Sequence, residues 1–160
     1  MASTKSNLNP LTTILEQKRI KKMTGKLEDV KINVKIKLSA LWATLMFLYI
    51  YADLLGWMEP GHIEAVMSGE VAGLQITPAF LLGSTTLMAI PSLMVFLSLT
   101  LKPKANRWAN IILGVIYTGI ILLTLLMPGL WAHYIFVGIV EVALTLLIVW
   151  YAWKWPKQEA

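Results

Sequence analysis

Residues 111–126 read IILGVIYTGIILLTLL, and this run decides the fold class. A strand of an outer-membrane barrel alternates apolar and polar residues over about ten positions. Here apolar residues follow one another without alternation, so the barrel is rejected. A helix needs about 20 apolar residues to cross a hydrocarbon core of about 30 Å, and this run extends on both sides to roughly 108–128. Stretches of the same character lie at about 38–57, 77–101 and 132–153. In lipid every backbone N–H and C=O facing the tails must be paired within its own segment, so each stretch predicts a continuous helix. The predicted fold is all-α: a bundle of four transmembrane helices spanning 37–155, preceded by a basic arm (1–36) and followed by a short tail (156–160).

Composition agrees. Of 160 residues 57% are hydrophobic and 14% charged, and the mean hydropathy is +0.65. Soluble domains carry roughly 25% charged residues, so most of this chain belongs in lipid. Cysteine is absent, which excludes disulfides, thiolate metal sites and cysteine nucleophiles. The net charge of +5 does not point to nucleic acid, because the basic residues sit beside the spans, where they contact anionic lipid headgroups. All 14 Lys and Arg fall in the arm or just after it (Lys37), in the turn between the second and third spans (Lys102, Lys104, Arg107), or at the C-terminal end (Lys154, Lys157). The positive-inside rule then predicts a multi-pass protein of the cell inner membrane with both termini cytoplasmic. The outer segment between spans one and two carries Glu59, Glu64 and Glu70 instead.

All seven tryptophans fall at or near predicted span ends, where interfacial rings anchor helices. Thr77-Pro78 offers an N-cap and a first-turn proline. Pro128-Gly129 makes a turn, and Pro91 predicts a bend within the second span. Leu11, Ile14, Leu15 and Ile20 alternate with Lys18, Arg19, Lys21 and Lys22, which suits a basic amphipathic helix resting on the inner leaflet. The following VKINVKIKL reads as an extended approach to the first span. Residues 59–76 predict a short interfacial helix with Ile63, Val66 and Met67 turned towards the membrane.

Two carboxylates interrupt the apolar runs. Glu141 lies nine residues after Ala132, ~13 Å below the outer end and so near mid-bilayer. Asp53 lies four residues before Trp57, ~6 Å below the outer surface. Such an acid is expensive unless neutralised, paired or hydrated, which makes it a functional hypothesis by default. No Lys, Arg or His lies at the depth of Glu141, so desolvation favours the neutral acid. Tyr49 and Asp53 share one face of the first span; Tyr134, Gly138 and Glu141 share one face of the fourth. If those faces meet, they enclose a polar cavity in the outer half of the bundle, with Tyr117 and His133 as further candidate ligand-binding residues. The competing reading is a protonated acid hydrogen-bonded to a neighbouring helix as glue. His62 and His133, with Glu59 and Glu64 nearby, match no metal-ligand spacing, and no metal site is expected. Gly114, Thr118, Gly119 and Gly138, and Gly83 with Ser84 and Ala89, are candidate close-approach positions between helices.

The order of features is a basic arm, a first span ending Asp53-Leu54-Leu55-Gly56-Trp57, an acidic outer segment and a span opening Thr77-Pro78. The turn Lys102-Pro103-Lys104 and a last span holding Glu141 complete it. Over roughly 35–155 this resembles a family of small bacterial four-helix membrane proteins of unknown function. In architecture it is more loosely similar to DoxX-like proteins, a resemblance that implies quinone or redox chemistry by analogy alone. Three functions follow from the residues. The first is binding of a small lipophilic or amphipathic molecule in the outer cavity, with an enzymatic version using Glu141 as general acid. The second is proton-coupled transport by a dimer using Glu141. The third is an accessory subunit of a membrane complex. Each accommodates a homo-oligomer.

Overall fold

A computed structural model describes residues 10–23, 30–71 and 73–156. It is helical throughout, apart from one two-stranded hairpin. The helices are α1 (Pro10–Met23), α2 (Val34–Gly56), α3 (His62–Met67), α4 (Pro78–Thr100), α5 (Pro103–Leu125) and α6 (Ala132–Trp153). The hairpin pairs β1 (Glu70–Val71) with β2 (Leu74–Gln75). Helix α1 belongs to a separate unit, residues 1–31; Leu11, Ile14 and Leu15 on it are exposed. The remaining elements form the second unit.

Helices α2, α4, α5 and α6 are each long and apolar enough to cross a membrane, which makes the chain a multi-pass membrane protein. At 1.5 Å per residue, 23 residues give a length of about 34 Å, slightly more than the hydrocarbon core. Their starts are written locally. The Asn33 side chain accepts from the backbone N–H of Lys35 (2.9 Å) and caps α2. The Thr77 hydroxyl accepts from the N–H of Phe80 (3.1 Å), with Pro78 opening α4. Pro103 opens α5 without giving up a helical hydrogen bond. The turn from α5 to α6 passes through Gly129 at φ 81°, a conformation a side chain would strain.

Two boundaries differ from expectation. Helix α2 begins at Val34, inside the stretch expected to be extended, and α5 begins at Pro103 rather than near 108. In both cases charged residues are carried on the first turns of a helix, where long Lys and Arg side chains reach outward from an apolar span. Lys35 Nζ donates to the carbonyls of Leu99 (3.1 Å) and Leu101 (2.8 Å), satisfying the free end of α4. Lys37, Arg107 and Lys154 lie over the rings of Tyr151, Trp153 and Trp150. The segment between the first two spans is only partly the expected helix: α3 stops at Met67, and the hairpin follows, tied by Gln75 Nε2 donating to Glu70 Oε1 (2.7 Å). Ile63, Val66 and Met67 are exposed.

Helix α2 packs against both α4 and α6, and α5 packs against α6. Helices α4 and α5, though joined by a short turn, touch much less than these pairs do. Lys35, Lys37, Lys102, Lys104, Arg107 and Lys154 gather at one end, the basic end, and α3, the hairpin and the α5–α6 turn lie at the other, the hairpin end. The packed core occupies the basic half, where Leu38, Trp42, Leu45, Met94, Ile148 and Ala152 are buried. Trp42 is therefore a core residue and not an interfacial anchor: with α2 starting at Val34 it sits two turns inside the helix. Close approach of α5 to α6 depends on Gly114, where a Cβ would lie 2.7 Å from Val149 Cγ2 and 3.4 Å from the Thr145 carbonyl. Gly83 and Gly119 have open space around them and do not mediate helix contacts.

Candidate functional site

The hairpin half holds the polar groups. Along α6, Tyr134, Val137, Gly138 and Glu141 recur at helical spacing and face inward; along α2, Tyr49, Ala52 and Asp53 do the same. These faces meet around a recess of about 150 Å³, whose walls are completed by Leu87 and Met88 of α4 and by one face of α5 from Tyr117 to Leu125. Asp53 and Glu141 thus share one cavity. Glu141 is 6% exposed. Among the described residues its carboxyl group and that of Asp53 have no hydrogen-bond partner, and neither do the hydroxyls of Tyr49 and Tyr134.

The recess exists because the residues that would fill it are small or held back. Ala52 and Gly138 leave room where α2 and α6 face each other. A Cβ on Gly138 would lie 2.6 Å from Leu125 Cδ2, so glycine there lets the Leu125 side chain lie against the α6 backbone instead of across the cavity. A larger recess of about 790 Å³ lies beyond, towards the hairpin end, bounded by Trp57, Glu59, His62, Val71 and Trp131 among others. Ala52, Asp53, Thr124 and Tyr134 line both spaces. They form the wall between them.

Tyr117 plays a different part from the other tyrosines. Its ring lines the recess and meets Trp42 edge-on at 5.9 Å, but its hydroxyl donates to the carbonyl of Leu87 at 2.6 Å. Leu87 is four residues before Pro91, which is buried inside α4. Proline has no N–H to give to that carbonyl, so the Tyr117 hydroxyl replaces the missing helical bond and joins α4 to α5. His133 lies outside the smaller recess. Its Nε2 is 3.4 Å from Glu59 Oε1, an ion-pair distance without hydrogen-bond geometry. One turn along α6 from the acid, Thr145 Oγ1 bonds back to the Glu141 carbonyl at 3.1 Å and meets Thr118 Oγ1 at 2.8 Å. These threonines tie α5 to α6 and do not reach the acid's side chain. Among the described residues no group of three or more His, Asp or Glu side chains is placed to hold a metal ion.

One polar cluster escaped the sequence reading. In the basic half, Asn110 Oδ1 accepts from Trp42 Nε1 at 2.7 Å and from Ser98 Oγ at 3.4 Å. Asn110 Nδ2 donates to the carbonyl and side-chain oxygens of Asn106 at 2.9 and 2.7 Å, and Asn106 Nδ2 donates to the Ser98 carbonyl. All four side chains are fully buried. The available signal was two asparagines four apart, hence on one helical face, at what looked like a loop edge.

A family model described as a family of unknown function (DUF6326) matches residues 26–160. That is most of the chain, and the chain belongs to this family. No curated protein and no solved structure matches it.

Proposed function

We propose that this member of the DUF6326 family holds a small lipophilic or amphipathic molecule in the recess between Tyr49, Asp53, Tyr134 and Glu141. The observation that carries the reading is a pair of carboxyl groups, Glu141 buried and Asp53 nearer the opening, that line one space and have no hydrogen-bond partner among the described residues, whereas the buried Ser98, Asn106, Asn110 and Thr145 side chains are all bonded. Buried polar groups are normally bonded, and membrane interiors raise the penalty for exceptions. A bound molecule offering complementary polar atoms removes that penalty. The smaller recess has the size of a cavity that accepts benzene, and the adjoining space accommodates the rest of a longer molecule. Proton-coupled transport finds less support, because the basic half is filled by packed side chains and the asparagine cluster, leaving the recess without a visible second outlet.

In this reading the protein lies in the inner membrane of a bacterial cell with both termini cytoplasmic, the basic end at the inner leaflet and the hairpin end outside. Helix α1 rests on anionic headgroups through its basic residues. A reporter fused after Gln158 reads as cytoplasmic; an external reading overturns the orientation.

Thermal stability of the purified protein against quinones, sterols, isoprenoids and lipophilic cations tests the binding. A ligand of the folded state raises apparent stability by mass action, so the expected result is a shift for wild type that Glu141→Gln diminishes. No shift with any class sinks the proposal.

A further inference from the structure

Within that reading, the residues of the site also specify what kind of molecule fits. No Lys or Arg side chain lines either recess. The polar groups aimed into the smaller one are two acids and two tyrosines, while the larger one adds a third acid, Glu59, one histidine, His62, and two tryptophans. An anionic ligand would meet three carboxyl groups and no fixed positive charge. A neutral carbonyl compound needs one donor, which a single protonated acid or tyrosine supplies; it gives no account of a second acid on the opposite helix. A positively charged head accounts for both. It provides the counter-charge that Glu141 does not find among the described side chains of the recess, and that Asp53 finds only in the imidazole of His62. The aromatic rings of Tyr49 and Tyr134, and of Trp57 and Trp131 further out, provide faces that attract a cation through their quadrupoles.

The arrangement of polar and apolar wall orients such a molecule. Glu141, 6% exposed and without a hydrogen-bond partner, lies deep in the smaller space. Ile50, Leu54, Val71, Met127 and Leu130 line the larger one. We infer that the ligand is an amphipathic organic cation, an amine or quaternary ammonium, whose head sits between Asp53 and Glu141 and whose apolar part extends past Tyr134 towards the hairpin end. The inference rests on the binding proposal and narrows it to one chemical class.

Benzyltrimethylammonium and neopentylbenzene, its uncharged isostere with carbon in place of nitrogen, separate charge from shape. Titration of each into the purified full-length protein can be followed through the fluorescence of Trp57 and Trp131, which line the larger recess. A neutral quinone serves as the hydrogen-bonding control. The cation should bind about tenfold or more tighter than the isostere, a margin of the order expected for loss of a desolvated charge contact. Glu141→Gln and Asp53→Asn should each abolish that preference, bringing the cation's affinity to that of the isostere measured on the same variant. Equal binding of cation and isostere, or a cation preference that survives Glu141→Gln, overturns the inference. In those cases binding of the isostere or quinone to wild type leaves the broader reading standing. Failure of all three probes to bind overturns both.

Discussion

The two halves of the bundle treat inward-facing polar groups in opposite ways. In the basic half Trp42, Ser98, Asn106 and Asn110 donate to and accept from one another and are wholly buried. In the hairpin half Tyr49, Asp53, Tyr134 and Glu141 surround a space and find no hydrogen-bond partner among the described residues. Both sets are costly to place in lipid. The satisfied set closes the bundle and joins α2, α4 and α5. The unsatisfied set makes sense once something else enters. The difference teaches that a polar residue in a span is a ligand candidate according to whether its partners are already present, not merely because it is polar.

The contrast breaks most visibly at Asn110. Asn110→Leu removes the acceptor of Trp42 Nε1 and the donor to Asn106 while leaving those groups buried. Each unsatisfied group carries a desolvation penalty, so the loss of stability should be about 2–3 kcal/mol. Reversible unfolding in mixed micelles measures it, and a loss under about 0.5 kcal/mol would mean that the cluster is not structural. Ligand affinity, read at a temperature where the variant is folded, should be unchanged because the cluster lies outside both recesses.

The same measurement should change sign in the other half. Glu141→Leu removes an acid that has no partner, and an apolar side chain of similar size fills part of the space. Stability should rise by about 1–2 kcal/mol and ligand binding should disappear. A loss of stability would mean that Glu141 makes a structural contact, which returns it to the role of helix glue.

How much of this was readable beforehand follows from the same physics. The spans were legible because about 20 apolar residues leave few alternatives, and four of them lie where expected. Their first turns were not, because Lys35, Lys37 and Arg107 carry charge on helical residues whose side chains reach outward. Errors of four residues at the start of α2 and five at the start of α5 placed Trp42 at an interface and Asn106 in a loop, so the buried cluster was missed. Glu141 and Asp53 stood out against apolar neighbours, and helical spacing put Tyr49 and Tyr134 beside them. Whether those two faces meet depends on the rotation of each helix in the bundle, which tertiary packing sets and periodicity does not. The hairpin was beyond reach, because two-residue strands carry no period.

Tyr117 stands between the two halves, and the smallest effect is expected there. Its ring belongs to the recess, its hydroxyl to the repair of α4 at Pro91. Tyr117→Phe keeps the ring and strands the Leu87 carbonyl, so it should lower stability by about 0.6–1 kcal/mol with little effect on ligand affinity. Pro91→Ala restores an N–H four residues after Leu87, and in that background the hydroxyl is redundant. The double-mutant cycle should therefore show coupling between positions 91 and 117, the tyrosine's contribution falling towards zero once residue 91 can donate. Additive effects would mean that the 2.6 Å contact carries no energy. Weakened binding in Tyr117→Phe alone would instead move the hydroxyl from the closed half of the bundle into the site.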